Sequence, residues 1–293
     1  MILKIVVSRH AAFYSPLIST IAAGFLKDEG LEATYNVLAP GQRSHALIRD
    51  GAAHVVQSAV SSNWKPMEKG ESPLAAHFAQ INRRDGFFLV ARAPDAAFEW
   101  RNLEGRTVLA DHGGQPMAML RYAAQRQGVD WSRVRVVDAG SPEQIAEAFH
   151  AGVGDYIHLQ GPAPQQLEQE GKGRVAASVG EAIPPVAFSS LCASRKFISS
   201  DACRAFTRAF GRAKRWVREA PAEEVASKQA SFFPGIEPGA LGAAIRAYQD
   251  IGCWEGGVDI PRDLYEQALN VFEATGGIAR RYAYDDVCVA PPA

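Results

Sequence analysis

Residues 3–58 alternate between predicted strand and predicted helix, and this alternation constrains the fold more than any other feature of the chain. The order is strand (Leu3–Ser8), helix (Ser15–Glu29), strand (Leu31–Leu38), helix (Gly41–Asp50) and strand (Ala53–Gln57). Strands that alternate with helices run parallel in one sheet and are covered by helices on both faces. The segment therefore predicts an open α/β sheet, in which ligands bind at the carboxyl ends of the strands.

The alternation continues to about residue 192 and then gives way to helices. Four helices are predicted in the last third, over Asp201–Glu219, Ala222–Ala230, Pro238–Asp250 and Pro261–Thr275. The chain has 293 residues, which is about twice a common domain length of ~150. We expect a helical C-terminal third that packs on sheets built by the preceding residues.

Composition excludes several classes of protein. A formal net charge of −1 and a pI of about 6.7 argue against a nucleic-acid partner. No apolar run approaches the ~20 residues that span a bilayer, so no integral membrane segment is predicted. The cysteines, Cys192, Cys203, Cys253 and Cys288, are far apart and form no CxxC. We expect them to be buried free thiols.

Four segments, in order, resemble a known family. They are HAAFYSPLISTIAAGFLKDEGLEATYNVL (10–38), IRDGAAHVVQSA (48–59), WRNLEGRTVLADHGG (100–114) and EAFHAGVGDYIHLQGP (147–162). His54 stands where the family usually has Asp. The chain resembles proteins of the type II periplasmic-binding-protein fold, within it the nitrate/taurine/alkanesulfonate and thiamine-pyrimidine-precursor binding proteins of ABC importers.

The resemblance implies two doubly wound α/β lobes that are joined by two crossing strands, with the ligand in the cleft between them. The crossings are expected near Phe87–Arg92 and Phe188–Ser194. Lobe I would then hold residues 1–88 plus 191–293, and lobe II residues 89–190. The helical C-terminal third would pack on lobe I. Such lobes close on a hinge around their ligand.

Side chains at strand ends and helix starts are the candidate ligand-binding residues. They are His10, Phe13 and Tyr14 after the first strand, Gln57 and Ser58 after the third, Asn82 and Arg83 after the fourth, His112, Gly113, Gly114 and Gln115 before the first helix of lobe II, and Gln160 after a later strand. Backbone N–H groups at a helix start favour an anionic group, although Gly113-Gly114 could equally be a plain tight turn. Arg83 could clamp an anion or pair with Asp85. Phe13 could stack on a ligand or belong to the core.

No metal or cofactor is predicted. The seven histidines form neither HxxxH nor a His/Cys cluster. His10 and His112 could still meet across the cleft, or act as two separate hydrogen-bonding groups.

The favoured function is a small-molecule binding protein for an anionic or heterocyclic solute, with an ABC permease as partner if the chain is exported. Catalytic residues are not assigned. The related thiamine-pyrimidine synthases use a histidine at a position that falls at about Ser62 in this chain. The related aryl-sulfinate desulfinases use a cysteine in the loop that here reads Arg9-His10-Ala11. Neither the histidine nor the cysteine is present here, so the sequence favours neither activity. Two alternatives remain open. One is a cytoplasmic lyase or decarboxylase of an aromatic or heterocyclic acid, and the other is a ligand sensor that docks a protein through the basic run Arg204–Arg218.

A leader for secretion is not evident ahead of the first strand, so the expected location is cytoplasmic, or periplasmic if a leader has been removed.

Overall fold

Two five-stranded mixed sheets with helices around them form the protein, as described by a computed structural model for residues 1–39, 41–73, 75–93, 97–110 and 114–293. The α/β class predicted from the alternation is confirmed. The strands are β1 (Ile2–Val7), β2 (Glu32–Val37), β3 (Val55–Ser58), β4 (Ala75–Asn82), β5 (Phe87–Ala91), β6 (Thr107–Ala110), β7 (Arg135–Val137), β8 (Tyr156–Gln160), β9 (Arg174–Ser178) and β10 (Ser189–Ser194).

The helices follow the same chain order. They are α1 (Ser15–Ala22), α2 (Phe25–Asp28), α3 (Ser44–Arg49), α4 (Trp64–Glu68), α5 (Gly114–Arg126), α6 (Pro142–His150), α7 (Ala163–Gln169), α8 (Val179–Ala182), α9 (Arg195–Ile198), α10 (Asp201–Glu219), α11 (Ala222–Gln229), α12 (Pro238–Asp250), α13 (Arg262–Ala274) and α14 (Tyr284–Val287).

Each sheet combines parallel strands with one antiparallel strand, β10 or β5, which directly follows a passage of the chain between the sheets. The first sheet has the order β2-β1-β3-β10-β4, with β1, β2 and β3 parallel and β10 antiparallel to β3. The second has the order β7-β6-β8-β5-β9, with β6, β7 and β8 parallel and β5 antiparallel to β8. β10 and β5 therefore each begin beside the carboxyl end of a parallel strand.

The chain passes between the sheets twice, at residues 83–86 and 179–188. The segments Phe87–Arg92 and Phe188–Ser194, where crossings were expected, are mostly strands that each belong to one sheet. The two connections touch each other, because the Val186 N–H donates to the Arg83 carbonyl at 2.9 Å and Arg84 Nη1 donates to the Gly180 carbonyl at 3.2 Å. The lobe boundaries at residues 88 and 191 stay a prediction.

The C-terminal helices contact both sheet units. Helices α10 and α11 pack on α1 beside the first sheet, whereas α12 also packs on α7 and α13 on α5 beside the second sheet. The last third thus contributes contacts to both halves of the molecule.

The predicted helix over Ser15–Glu29 is wrong as a single element. Gly24 has φ +84° and divides it into α1 and α2. This left-handed conformation is easy for glycine and ends a helix.

Most arginines of α10 pair within the chain. Arg208 and Arg212 bind the Glu29 carboxylate at 2.8 and 2.5 Å, while Arg204 pairs with Asp201 on α10 itself. A charged helix face satisfied in this way is typical of a structural amphipathic helix. The basic run therefore gives the sensor alternative no support.

Candidate functional site

A cavity of about 290 Å³ lies where the carboxyl edges of the two sheets face each other. On one side Ser58, at the end of β3, pairs with Ser190 near the start of β10. On the other side Gln160, at the end of β8, pairs with Phe87 at the start of β5. The volume falls at the lower end of the ~300–1,000 Å³ that small-molecule sites occupy.

Residues from both halves of the chain line this cavity. They are Ser8, Arg9, Tyr14, Gln57, Ser58, Ala59, Ser61, Ser62, Trp64, Lys65, Phe87, Gly114, Gln115, Pro116, Gln160, Phe188, Ser189, Phe272, Gly277 and Ile278.

The Gln57 amide holds the loop after β1 against the end of β3. Its Oε1 accepts hydrogen bonds from the Ser8 backbone N–H at 2.9 Å and from the Ser8 hydroxyl at 2.8 Å. Its Nε2 donates to Ser189 Oγ at 3.3 Å. With Gln57 only 2% exposed, this network positions polar groups at the cavity surface before any ligand arrives.

Gln115, in the first turn of α5, connects the two halves across the cavity. Its Oε1 accepts from Ser61 Oγ at 2.8 Å, and its Nε2 donates to the Phe188 carbonyl at 2.5 Å. Ser61 follows β3 of the first sheet, and Phe188 lies in the second connection. One buried amide thus fixes the start of α5 relative to the first sheet.

Tyr14 and Gln160 form the polar contact nearest the second sheet. Gln160 Nε2 donates to the Tyr14 hydroxyl oxygen at 3.4 Å. Burial raises the pKa of Tyr14 above its ordinary value, so that the side chain remains a neutral hydroxyl at neutral pH. Its O–H can therefore donate a hydrogen bond to a bound group.

The charged side chains that line the cavity are cationic. Arg9 and Lys65 are among them, and no Asp or Glu occurs in the part of the lining that the structure describes. The Arg9 guanidinium lies 6.0 Å from the centre of the Phe87 ring, within the range of a cation–π contact. Cations together with neutral amides and hydroxyls favour an anionic ligand.

Aromatic and aliphatic side chains form the rest of the surface. The Trp64 ring packs edge-on against Phe272, with centres 5.0 Å apart, and its Nε1 donates to Tyr265 at 3.2 Å. Phe87 stacks on the buried His158 ring at 4.3 Å. The site thus combines polar strand ends with a fixed apolar surface, as binding sites for small molecules commonly do.

The structure brings six of the predicted ligand-binding residues to the cavity: Tyr14, Gln57, Ser58, Gly114, Gln115 and Gln160. His112 and Gly113 lie outside the described residues. His10, Phe13, Asn82 and Arg83 are not among the described residues that line this cavity.

His10 faces the C-terminal helices instead of the cavity. Its Nδ1 lies 3.0 Å from the Tyr35 hydroxyl, its Nε2 lies 2.7 Å from the Phe232 carbonyl, and its ring stacks on Phe233. Both ring nitrogens therefore already have partners within the fold.

Phe13 and Asn82 are structural. The Phe13 ring is fully buried, and its carbonyl accepts from Asn82 Nδ2 at 2.6 Å and from Trp254 Nε1 at 3.0 Å. Arg83 points towards Glu255, 3.9 Å away. Phe13, Asn82 and Arg83 lie at or near strand ends as predicted. Their contacts, however, link the first connection and the loop after β1 to the C-terminal part of the chain.

Several residues that line the cavity were not among the predicted ligand-binding residues. Phe87 and Phe188 begin the segments predicted to cross between the sheets, and that position was a signal that could have identified them. Phe272, Gly277 and Ile278 come from the far end of the chain, and no local pattern marks them as part of a site.

Within the described ranges, no three His, Cys, Asp or Glu side chains come together as a metal-binding group. The four cysteines are free and buried, which confirms the prediction for them, and none is in the cavity lining described above. Over the same described residues, no helix has the length and apolarity needed to cross a membrane.

Comparisons with known proteins identify relatives over nearly the whole chain. The model of the "NMT1/THI5 like" family matches residues 12–224. The protein named "Putative binding protein YtlA" of Bacillus subtilis (strain 168) is 25% identical over 289 residues, which cover 97% of this chain and 86% of that protein.

Two solved structures share the fold. The alkanesulfonate-binding protein SsuA from Xanthomonas axonopodis pv. citri, bound to MOPS, superposes with a TM-score of 0.75 at 13% identity, over 99% of this chain and 98% of that one. The desulfurization enzyme DSZB superposes with a TM-score of 0.68 at 14% identity, over 98% and 96%. Binding proteins and an enzyme therefore share this architecture, and the side chains of the cavity have to distinguish them.

Proposed function

The chain belongs to the NMT1/THI5-like family, and from that premise we propose that it is a binding protein for a small organic anion. The observation that carries the proposal is the cavity between the two sheet edges, lined by Arg9 and Lys65 and by no carboxylate among its described residues. Neutral amides and hydroxyls, and the first turn of the 13-residue helix α5, supply further hydrogen-bond donors. An anion with an apolar body matches both parts of this surface.

The test is isothermal titration of the protein with alkanesulfonates, arylsulfonates and aromatic carboxylates, each compared with its neutral amide or sulfonamide. We expect the anions to bind and their neutral analogues to bind more weakly. A neutral analogue that binds as tightly as its anion would overturn the charge argument.

Lys65 provides a variant for the same titration. Lys65→Gln removes an exposed charge at the cavity and should weaken anion binding about two- to fivefold. Lys69→Gln, an exposed lysine just after the same helix and outside the cavity lining, is the matched control and should leave affinity unchanged.

A desulfinase-type enzyme gains no side-chain support from the cavity, whereas a lyase or decarboxylase of an aromatic or heterocyclic acid stays an open alternative. An acyl- or sulfinyl-transferring site needs an activated nucleophile such as a thiolate. The four cysteines are buried, and burial raises the pKa of Cys192 to about 12, which keeps this thiol protonated.

An ABC permease is the partner that we propose for this role. Adjacent permease and ATPase genes would identify the importer, and ligand-loaded protein should then stimulate its ATPase rate. A rate that does not change with loaded protein would contradict the pairing. The role also requires the chain to act outside the cytoplasm, and cell fractionation tests this requirement.

A further inference from the structure

One wall of the cavity comes from a segment that belongs to neither sheet. Phe272, Gly277 and Ile278 lie at the end of α13 and in the turn that follows it, more than two hundred residues along the chain from the β1 and β3 loops that they face. Each of the three is apolar or lacks a side chain, whereas the strand ends present amides and hydroxyls. The polar and apolar parts of the surface therefore come from different parts of the chain.

This wall is held in place by contacts on both of its sides. Gly277 N–H donates to the Phe272 carbonyl at 2.6 Å, which closes the turn after α13. Ala279 N–H donates to Glu68 Oε1 at 3.1 Å, which ties the turn to α4. Arg281, just beyond, bonds Glu273 and Glu266 of α13 at 2.7 Å each.

The aromatic contacts continue the same support. Trp64 of α4 packs against Phe272 on one side and stacks on Tyr282, with centres 6.3 Å apart, on the other. Trp64 and Phe272 are both buried, while Ile278 is half-buried, packs against the core and is one of the residues that line the cavity. Ile278 is thus the aliphatic side chain of this wall that is fixed in position and still accessible from the cavity.

We propose that Ile278 is a specificity-determining residue that sets how long the apolar part of the bound ligand can be. The inference rests on the proposed anion-binding function and adds to it the part of the ligand that carries no charge. Lengthening the apolar part of the ligand should raise its affinity until that part reaches the Ile278 side chain. Further methylene groups should not raise affinity, because a well-packed wall does not move to admit them.

The experiment is calorimetric titration of the wild-type protein with n-alkanesulfonates from two to eight carbons. Each methylene that fits should raise affinity by about fourfold, up to a limiting chain length beyond which affinity falls. In Ile278→Ala, which removes three side-chain carbons, the limit should move to longer chains by about one or two carbons. In Ile278→Phe it should move to shorter chains.

Ile236→Ala is the matched control, since Ile236 is also half-buried but lies outside the cavity lining. Its limiting chain length should equal that of the wild type, and thermal unfolding of each variant shows that the protein has folded. An unchanged limit in both Ile278 variants would overturn the role of Ile278 and leave the anion-binding function standing. If no member of the series binds the wild-type protein, this inference fails, while the arylsulfonates and aromatic carboxylates of the first titration decide whether the anion-binding function stands.

Discussion

Asp85 is a buried carboxyl group in the first connection between the sheets, and its environment suits the neutral form. The side chain is fully buried, and its Oδ1 accepts the Phe87 backbone N–H at 2.6 Å. Its Oδ2 has no hydrogen-bond partner among the described residues. Burial raises the pKa of Asp85 to about 8, because an ionised carboxylate there would lose its hydration without gaining a cation.

This raised pKa predicts that Asp85 makes the folded protein less stable as the pH rises. Below about pH 4 the carboxyl is protonated in both the folded and the unfolded chain, so it has no effect on the pH dependence. Between about pH 4 and pH 8 only the unfolded chain ionises, and the free energy of unfolding should fall by about 1.4 kcal/mol per pH unit. Above the folded pKa both states are ionised, and the loss stops growing.

Asp85→Asn keeps an acceptor for the Phe87 N–H and removes the titration. Urea unfolding at pH 4, 6, 8 and 9 should show a variant that is close to the wild type at the lowest pH and more stable at the highest. The exposed Asp250→Asn serves as control and should follow the wild-type profile. Parallel curves for Asp85→Asn and the wild type would show that the carboxyl is not neutral in the folded state.

The contact between His45 and Ser62 predicts that ligand binding depends on pH. Its Nε2 lies 3.4 Å from the hydroxyl oxygen of Ser62, which lines the cavity. Burial lowers the pKa of His45 below 6.5, while the nearby Glu71 carboxylate opposes that shift, and the neighbouring His77 is buried with a pKa of about 3. At pH 7 the imidazole is therefore neutral and can accept the Ser62 proton.

Protonated His45 would instead donate to Ser62 Oγ, which frees the hydroxyl proton for a ligand and adds a positive charge. Affinity for a sulfonate, which stays ionised throughout, should rise as the pH falls through the His45 pKa. In His45→Gln this rise should be lost, whereas the exposed His150→Gln should retain it. A wild-type affinity that stays flat on acidification, down to the lowest pH at which the protein remains folded, contradicts the prediction.

The predicted site residues that the structure places at the cavity share a simple physical reason. Gln57, Gln115 and Gln160 stand at strand ends or at a helix start, and the backbone of an α/β sheet brings such positions to one edge whatever the side chains are. Asn82 also follows a strand, but its amide donates to the Phe13 carbonyl and so faces the interior. Which way a side chain turns at such a position depends on distant packing, and the local pattern does not contain that information.

At the scale of elements, the turn from β4 into β5 depends on a glycine. A Cβ on Gly86 would clash with the Phe13 ring, which is itself fully buried against Phe188 and Tyr248. The Tyr248 hydroxyl donates to the Gly86 carbonyl at 2.8 Å and accepts the Gly161 N–H at 2.7 Å. The connection therefore has no room to move away from an added methyl group.

Gly86→Ala should lower the free energy of unfolding by about 3 kcal/mol, measured by urea denaturation. Gly242→Ala, within α12, is the control, because the nearest atom to its Cβ would be 3.9 Å away. This control should be neutral or more stable by up to about 1 kcal/mol, since alanine is the better helix former. Equal stability of the Gly86 variant and the wild type would mean that Phe13 can move.

One wall of the cavity could not be predicted from the sequence. The strands and the alternation followed from local pattern, but the wall formed by Phe272 and Ile278 follows from how α13 packs on α5 and on α4. These contacts join residues far apart in the chain. The amphipathic pattern of α13 indicates that one face of the helix is buried, but it does not identify the elements that this face packs against.

At the scale of the whole molecule, the relation between the two sheet units depends on a few side chains, and Gln115 is one of them. Its amide bonds Ser61 on one unit and the Phe188 carbonyl in the second connection. Removing these bonds takes from the closed arrangement the contacts that the Gln115 amide makes with Ser61 and with the Phe188 carbonyl. Such a loss is worth about 1–3 kcal/mol.

Gln115→Ala should therefore favour a more open arrangement. In solution scattering the ligand-free variant should have a larger radius of gyration than the wild type, and saturating ligand should remove the difference. If the closed form is the one that binds, its reduced population lowers the apparent affinity, by at most about tenfold for a shift of ~1.4 kcal/mol. Gln125→Ala, exposed on the same helix, should change neither measurement. A Gln115 variant with lower affinity and an unchanged radius would mean that the amide contacts the ligand directly and does not hold the two units together.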